Sequence, residues 1–103
     1  MSEVSSEIVH EYETVYIVQP NADEEAQNTI NERFTQLILS FGGEVVGVEP
    51  WGRRTLAYPI DKFFEGYYIL TRFTMRPAGA SELDRFLRLH EDVIRYLVIR
   101  TNE

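Results

Sequence analysis

The sequence predicts one α+β domain with the element order βαββαβ, and three observations carry that prediction. Two segments place apolar side chains at spacings of three and four between recognisable capping residues, as surface helices do. Four others are rich in Val, Ile, Tyr and Phe and are bounded by Pro, Gly, Asn and Asp, as strands are. The chain is 103 residues long, enough for a single hydrophobic core.

Taken in order, residues 1–10 are polar, acidic and interspersed with Ser, and read as a flexible N-terminal tail ahead of a folded domain over 11–103. A strand is expected from about Tyr12 to Gln19, stopped by Pro20-Asn21. Asp23 is placed to cap a helix from about Glu24 to Phe41, with Glu24 and Glu25 complementing its dipole. Ala26, Ile30, Phe34, Leu37, Ile38 and Phe41 form its apolar stripe, and Gly42-Gly43 ends it. Glu44 to about Ile60 reads as a long strand, bent near Pro50-Trp51-Gly52 where a glycine relieves a bulge. Residues Asp61 to Gly66 are expected to turn into a third strand, Tyr67 to about Met75. Ser81 with Asp84 three positions on predicts a variant capping box for a second helix, Glu82 to Leu89, burying Leu83, Phe86 and Leu87. A last strand covers about Val93 to Thr101. Two βαβ crossovers in this order place both helices on one face of a four-stranded antiparallel sheet, the ferredoxin-like arrangement.

Composition narrows the function. The absence of Cys removes disulfides, thiolate metal sites and thiol nucleophiles. No apolar run reaches the ~18 residues of a membrane span. No basic region followed by an apolar stretch opens the chain, so a soluble intracellular protein is expected. The net charge of −7 opposes long-range attraction of nucleic acid, but it is unevenly distributed. Residues 1–32 hold eight acids and no Lys or Arg, whereas 33–103 hold nine acids and ten bases, nine of them Arg. An Arg-rich body with an acidic front end permits RNA contact through local bidentate grips without drawing RNA from afar.

One sheet face is left without helices, and its expected residues are too apolar for a surface covered only by water. Val93, Leu97 and Ile99 alternate with Ile94, Tyr96 and Val98, while Tyr67, Ile69 and Phe73 oppose Tyr68 and Leu70. Tyr67, Ile69, Leu97 and Ile99 are the candidate docking residues for a partner protein.

Catalytic signals are poor. Of the two histidines, His10 falls in the tail and His90 at a helix end, where the dipole favours it; with Glu91 and Asp92 it makes a sequential run that cannot converge on one metal ion. Gly42-Gly43-Glu44-Val45-Val46-Gly47 follows a helix and enters a strand, the reverse of a dinucleotide loop. Acylphosphatases share the topology, but their Arg-bearing loop has no counterpart in Gln19-Pro20-Asn21-Ala22. RNA recognition motifs share it too, yet Glu65, Tyr68 and Arg72 break the match to their third-strand motif. No catalytic, cofactor or metal-binding residue is assigned.

The most informative segment is Gly52-Arg53-Arg54-Thr55-Leu56-Ala57-Tyr58-Pro59-Ile60-Asp61-Lys62. It resembles the central signature of the bacterial small-subunit ribosomal protein six family. Tyr12-Glu13 with Pro20-Asn21, Glu65-Gly66-Tyr67-Tyr68, Glu82 to Leu89 and Val93 to Val98 resemble other parts of that family in order and spacing. The resemblance implies a non-catalytic component of the cytoplasmic ribosome, without cofactor. It also implies binding to the central domain of small-subunit ribosomal RNA as a heterodimer with the basic small-subunit protein eighteen. Carried onto this chain, the RNA-contact candidates are Arg53, Arg54 and Lys62, followed by Arg88 and Arg95; Arg54 or Arg95 pairing instead with Glu13 or Glu49 is the competing reading. Tyr58-Pro59 reads as structural. The acidic residues before Tyr12 depart from members that begin with basic ones. The rival function is a self-associating interaction module that uses the same apolar face.

Overall fold

The computed structural model describes residues 8–101. Strands β1 (His10–Val18), β2 (Glu44–Ile60), β3 (Phe63–Met75) and β4 (Val93–Arg100) form one antiparallel sheet in the order β2-β3-β1-β4. Helices α1 (Glu24–Ser40) and α2 (Ala80–Leu89) both contribute to the core on the same side of it. This is the ferredoxin-like fold expected from the element order. Most of the expected tail, residues 1–7, lies outside the described residues, and β1 has already begun at His10.

Helix α1 is delimited by side-chain and backbone chemistry legible in the sequence. The Asp23 carboxylate accepts from the Ala26 N–H at 2.8 Å, which satisfies one of the free donors of the first turn. At the other end the Gly42 N–H donates to Leu39 and the Gly43 N–H to Ile38, a Schellman motif made possible by Gly42 at φ +74°. Gly43 then passes so close to β3 that a Cβ would stand 1.7 Å from the Thr74 carbonyl oxygen. Of the expected stripe, Ile30, Phe34 and Ile38 are fully buried, and Ala26, Leu37 and Phe41 pack around them.

Two boundaries differ from expectation. Helix α2 begins at Ala80, following a 3-10 turn over Pro77–Gly79, so Ser81 lies within the helix and no side chain caps it. Pro77 supplies a preset φ for the turn, which makes the capping box unnecessary. Strand β3 begins at Phe63 because the hairpin turn uses only Asp61 and Lys62, at φ +49° and +73°, and Ile60 pairs directly with Phe63. Both signs match the turn that fits the twist of a two-residue hairpin. Pro50 and Pro59 are accommodated because β2 is an edge strand. The register slips between Pro50 and Gly52, with Gly52 at φ +81°, the bulge expected there.

The core lies between the sheet and the helices. Tyr12, Tyr16 and Val18 from β1 and Ile69, Phe73 and Met75 from β3 meet Ile30, Phe34, Ile38, Leu83 and Leu87. Phe34 meets Phe73 edge-on at 5.6 Å, and Tyr12 stacks on Phe73 at 5.5 Å. Burial pushes the Tyr16 phenol up to about 12. The folded state therefore holds this proton more tightly than the unfolded chain. The resulting stability is complete below the ordinary tyrosine pKa and is lost as pH rises from about 10 to about 12. Thermal unfolding across that range is expected to show a loss of roughly 2 kcal/mol that Tyr16→Phe abolishes. A variant with the same alkaline slope as the parent would show that Tyr16 is not its source.

Candidate nucleic-acid and partner interface

Strand alternation divides the predicted residues between the two faces. The pairings Glu13–Arg72, Val15–Leu70 and Ile17–Tyr68, with Arg95, Leu97 and Ile99 of β4 opposite Ile17, Val15 and Glu13, define the helix-free face. Leu97 and Ile99 stand on it with 57% and 43% of their surface exposed. Tyr67 and Ile69 do not. They fall on the helix side, where Ile69 belongs to the core and Tyr67 packs against it, so neither is part of an open docking surface. Their register is set by pairing with Val18 and Tyr16, which are core residues themselves.

Nor is the helix-free face bare along its whole length. The distal part of the β2–β3 hairpin curls over it. Tyr58 on β2 meets Arg95 on β4, the opposite edge of the sheet, where the guanidinium donates to the phenol oxygen at 2.7 Å and lies 5.6 Å from the ring centroid. Ile17, Leu70 and Leu56 are buried, yet all three lie outside the main core cluster. The curled arm lies on the face that carries Ile17 and Leu70, and the Leu97–Ile99 end is what remains exposed.

The candidate cations occupy different settings. Arg53 points to the helix side, its Nε 2.6 Å from Glu65 and its guanidinium 5.8 Å from the Tyr67 ring. Arg54 points the other way, donating to the Trp51 carbonyl at 3.3 Å with its guanidinium 5.4 Å from the indole. Adjacent residues on a strand point to opposite faces, so these two do not form one clamp. Trp51 in turn stacks on Tyr68, centroids 6.1 Å apart and planes 17° from parallel. Lys62 projects from the hairpin tip with no partner among the described residues. Arg88 lies 3.7 Å from Asp84 one turn earlier on α2.

The expected competitor for Glu13 and Glu49 is a different residue. Arg72 bridges both, at 3.1 Å to Glu13 and through a short contact to Glu49, across three strands of the sheet. Arg72 hydrogen bonding holds the Glu49 carboxyl below its ordinary range. Sequence reasoning missed Arg72, and it missed the Trp51–Tyr68 platform; alternation along β3 groups Tyr68, Leu70 and Arg72 on one face, and only the placement of the helices makes it the helix-free one. His90 is tied into the turn after α2, where its Nδ1 accepts from the Asp92 N–H at 3.2 Å. Among the described residues no group of three His, Asp or Glu is placed to hold a metal ion, and no helix is long and apolar enough to cross a membrane.

The class the structure defines is a ferredoxin-like α+β domain, a fold that by itself fixes no activity. Comparison with known proteins makes the class specific. The sequence profile described as Ribosomal protein S6 matches residues 11–100. Small ribosomal subunit protein bS6 of Moorella thermoacetica is 46% identical over 92 residues, spanning 89% of this chain and 94% of that protein. The bS6 protein of Heliobacterium modesticaldum is 44% identical over 95 residues, spanning 92% and 99%. The crystal structure of 30S ribosomal protein S6 from Thermotoga maritima superposes with a TM-score of 0.84 at 33% identity, covering 91% of this chain and 89% of that one. The C-terminal domain of MgtC from Mycobacterium tuberculosis shares the fold alone, with a TM-score of 0.64 at 16% identity over 90% of this chain and 88% of that one. This chain belongs to the ribosomal protein S6 family, structural, non-enzymatic components of the small ribosomal subunit.

Proposed function

We propose that the protein binds the central domain of small-subunit ribosomal RNA together with the basic small-subunit protein eighteen, as a heterodimer, and supports assembly of the subunit. The observation that carries this reading is the uncovered apolar end of the sheet, Leu97 and Ile99 on edge strand β4. An edge strand with exposed apolar side chains offers a partner both backbone hydrogen bonds and burial.

The need for a partner follows from the electrostatics. Of the five candidate RNA cations, Arg53 and Arg88 are paired with carboxylates, and Arg54 and Arg95 are engaged by Trp51 and Tyr58. Only Lys62 extends without a partner among the described residues. With net charge −7, counterion release from this chain alone is small, so a basic protein must supply most of the phosphate contacts. The arm contributes Arg54, Trp51 and Tyr68, a cation beside stacked rings, suited to an unpaired base and its phosphate.

The test is a titration of a central-domain RNA fragment with this chain, with protein eighteen, and with both. The pair is expected to bind at least about 100-fold tighter than this chain alone, equivalent to roughly 2.7 kcal/mol of cooperativity. Leu97→Glu is expected to remove most of that gain while leaving the fold unchanged. Equal affinity with and without the partner would refute the proposed division of roles.

A further inference from the structure

On the side away from the sheet, α1 and α2 enclose an open groove of about 760 Å³, lined among others by Arg33, Leu37, Arg85, Phe86 and Leu89. Seven of the nine arginines are engaged within the fold: Arg53, Arg54, Arg72, Arg76, Arg88 and Arg95 as hydrogen-bond or ion-pair donors, and Arg100 by a further contact. Arg33 and Arg85 are the two with no hydrogen-bond, ion-pair or ring partner among the described residues, and both line this groove, one from each helix. Glu82 also lines it but is not within ion-pair distance of either.

Between these cations the surface is apolar. Leu89 keeps 65% of its surface exposed, Leu37 and Phe86 are half-buried, and His90 meets Phe86 edge-on at 5.8 Å. We infer that this groove docks an acidic amphipathic helix from a partner protein, carboxylates seated on Arg33 and Arg85 and leucine-like side chains on Leu37, Phe86 and Leu89. Charge complementarity selects this occupant. On a chain of net charge −7, the two arginines left unpartnered converge where aliphatic surface also stays exposed. That is the pattern a helix-in-groove ligand reads, with apolar anchors at i, i+3, i+4 and i+7 flanked by acids. A nucleic acid fits less well, because the groove lacks the stacked, cation-flanked rings found on the arm. The groove is on the opposite side of the molecule from Leu97 and Ile99, so its use does not depend on how the sheet is occupied.

The probe is a fluorescein-labelled peptide of about sixteen residues with Leu at those anchor positions and Glu beside them. Its anisotropy is expected to saturate at tens of micromolar protein. Arg33→Glu with Arg85→Glu should weaken binding at least about tenfold, and the Arg33→Gln, Arg85→Gln pair should act in the same direction with less charge disturbance. A peptide with Gln replacing every Glu should lose about as much. Amide shifts in the unaltered protein should centre on Leu37, Phe86 and Leu89. The inference is overturned by absence of saturation, by equal binding of the Gln peptide, or by shifts centred on Leu97 and Ile99. Tighter binding of oligouridylate at the same residues overturns it in favour of nucleic acid.

Discussion

Trp51→Ala combined with Arg54→Ala is expected to weaken binding of the heterodimer to central-domain RNA by roughly 100-fold, the largest functional effect of any pair on this surface. Loss of a base–aromatic stack is worth about 1–3 kcal/mol and loss of one charged phosphate contact about 1 kcal/mol. The indole stacks on Tyr68 and has the Arg54 guanidinium over its ring, so the two side chains act as one unit. Arg53→Ala is the internal comparison. Its guanidinium already serves Glu65 on the other face, so its loss should cost no more than about threefold. Removing Arg54 should also flatten the salt dependence of binding by about one unit of slope, which Trp51→Ala alone should not do. An Arg53 variant as damaged as the Trp51, Arg54 pair would move the contact to the opposite side of the arm. Circular dichroism of each variant separates these outcomes from misfolding.

Gly43→Ala should have the largest effect on stability, about 4 kcal/mol or more, lowering the melting temperature by roughly 20 °C. The obstacle is backbone rather than side chain. The new methyl would stand 1.7 Å from the Thr74 carbonyl oxygen and 2.8 Å from the Met75 Cα, neither of which can rotate away. Relief requires separating β2 from β3 at the point where the chain leaves α1, which also breaks the Gly43 N–H bond to Ile38. Gly47→Ala, four residues further on within β2 and with open space at its Cβ, should change stability by less than about 1 kcal/mol. Two variants that melt together would show that the α1–β2 junction relaxes freely.

The contrast between these two glycines shows where sequence reading stops. Gly42-Gly43 was legible as a helix terminator because αL geometry and the Schellman bonds are local. That Gly43 also lies against Thr74 depends on a pairing some thirty residues away. The Ser81 box failed for a related reason. A motif three residues long competes with whatever precedes it, and Pro77 had already started the turn. Asp61-Lys62 was read within a longer turn because only the paired backbone of Ile60 and Phe63 reveals a two-residue loop.

The docking and RNA residues divide in the same way. Leu97 and Ile99 lie on the uncovered face, whereas Tyr67 and Ile69 do not, although both pairs alternate equally well in sequence. Alternation separates two faces but does not say which one the helices cover. Arg53 and Arg54 are adjacent RNA-contact candidates in sequence and point apart; Arg72, which breaks the match to a motif, ties Glu13 to Glu49.

By itself the sequence determined the element order, the α1 cap and stripe, the bulge at Gly52 and the family, because each rests on periodicity, dihedral preference or a contiguous motif. Tertiary structure alone decided the curl of the arm that brings Tyr58 to Arg95, the partners of the engaged arginines, and the groove where Arg33 and Arg85 have none among the described residues. Those depend on distances between segments remote along the chain, which are set only when the sheet twists and the helices settle on one of its sides.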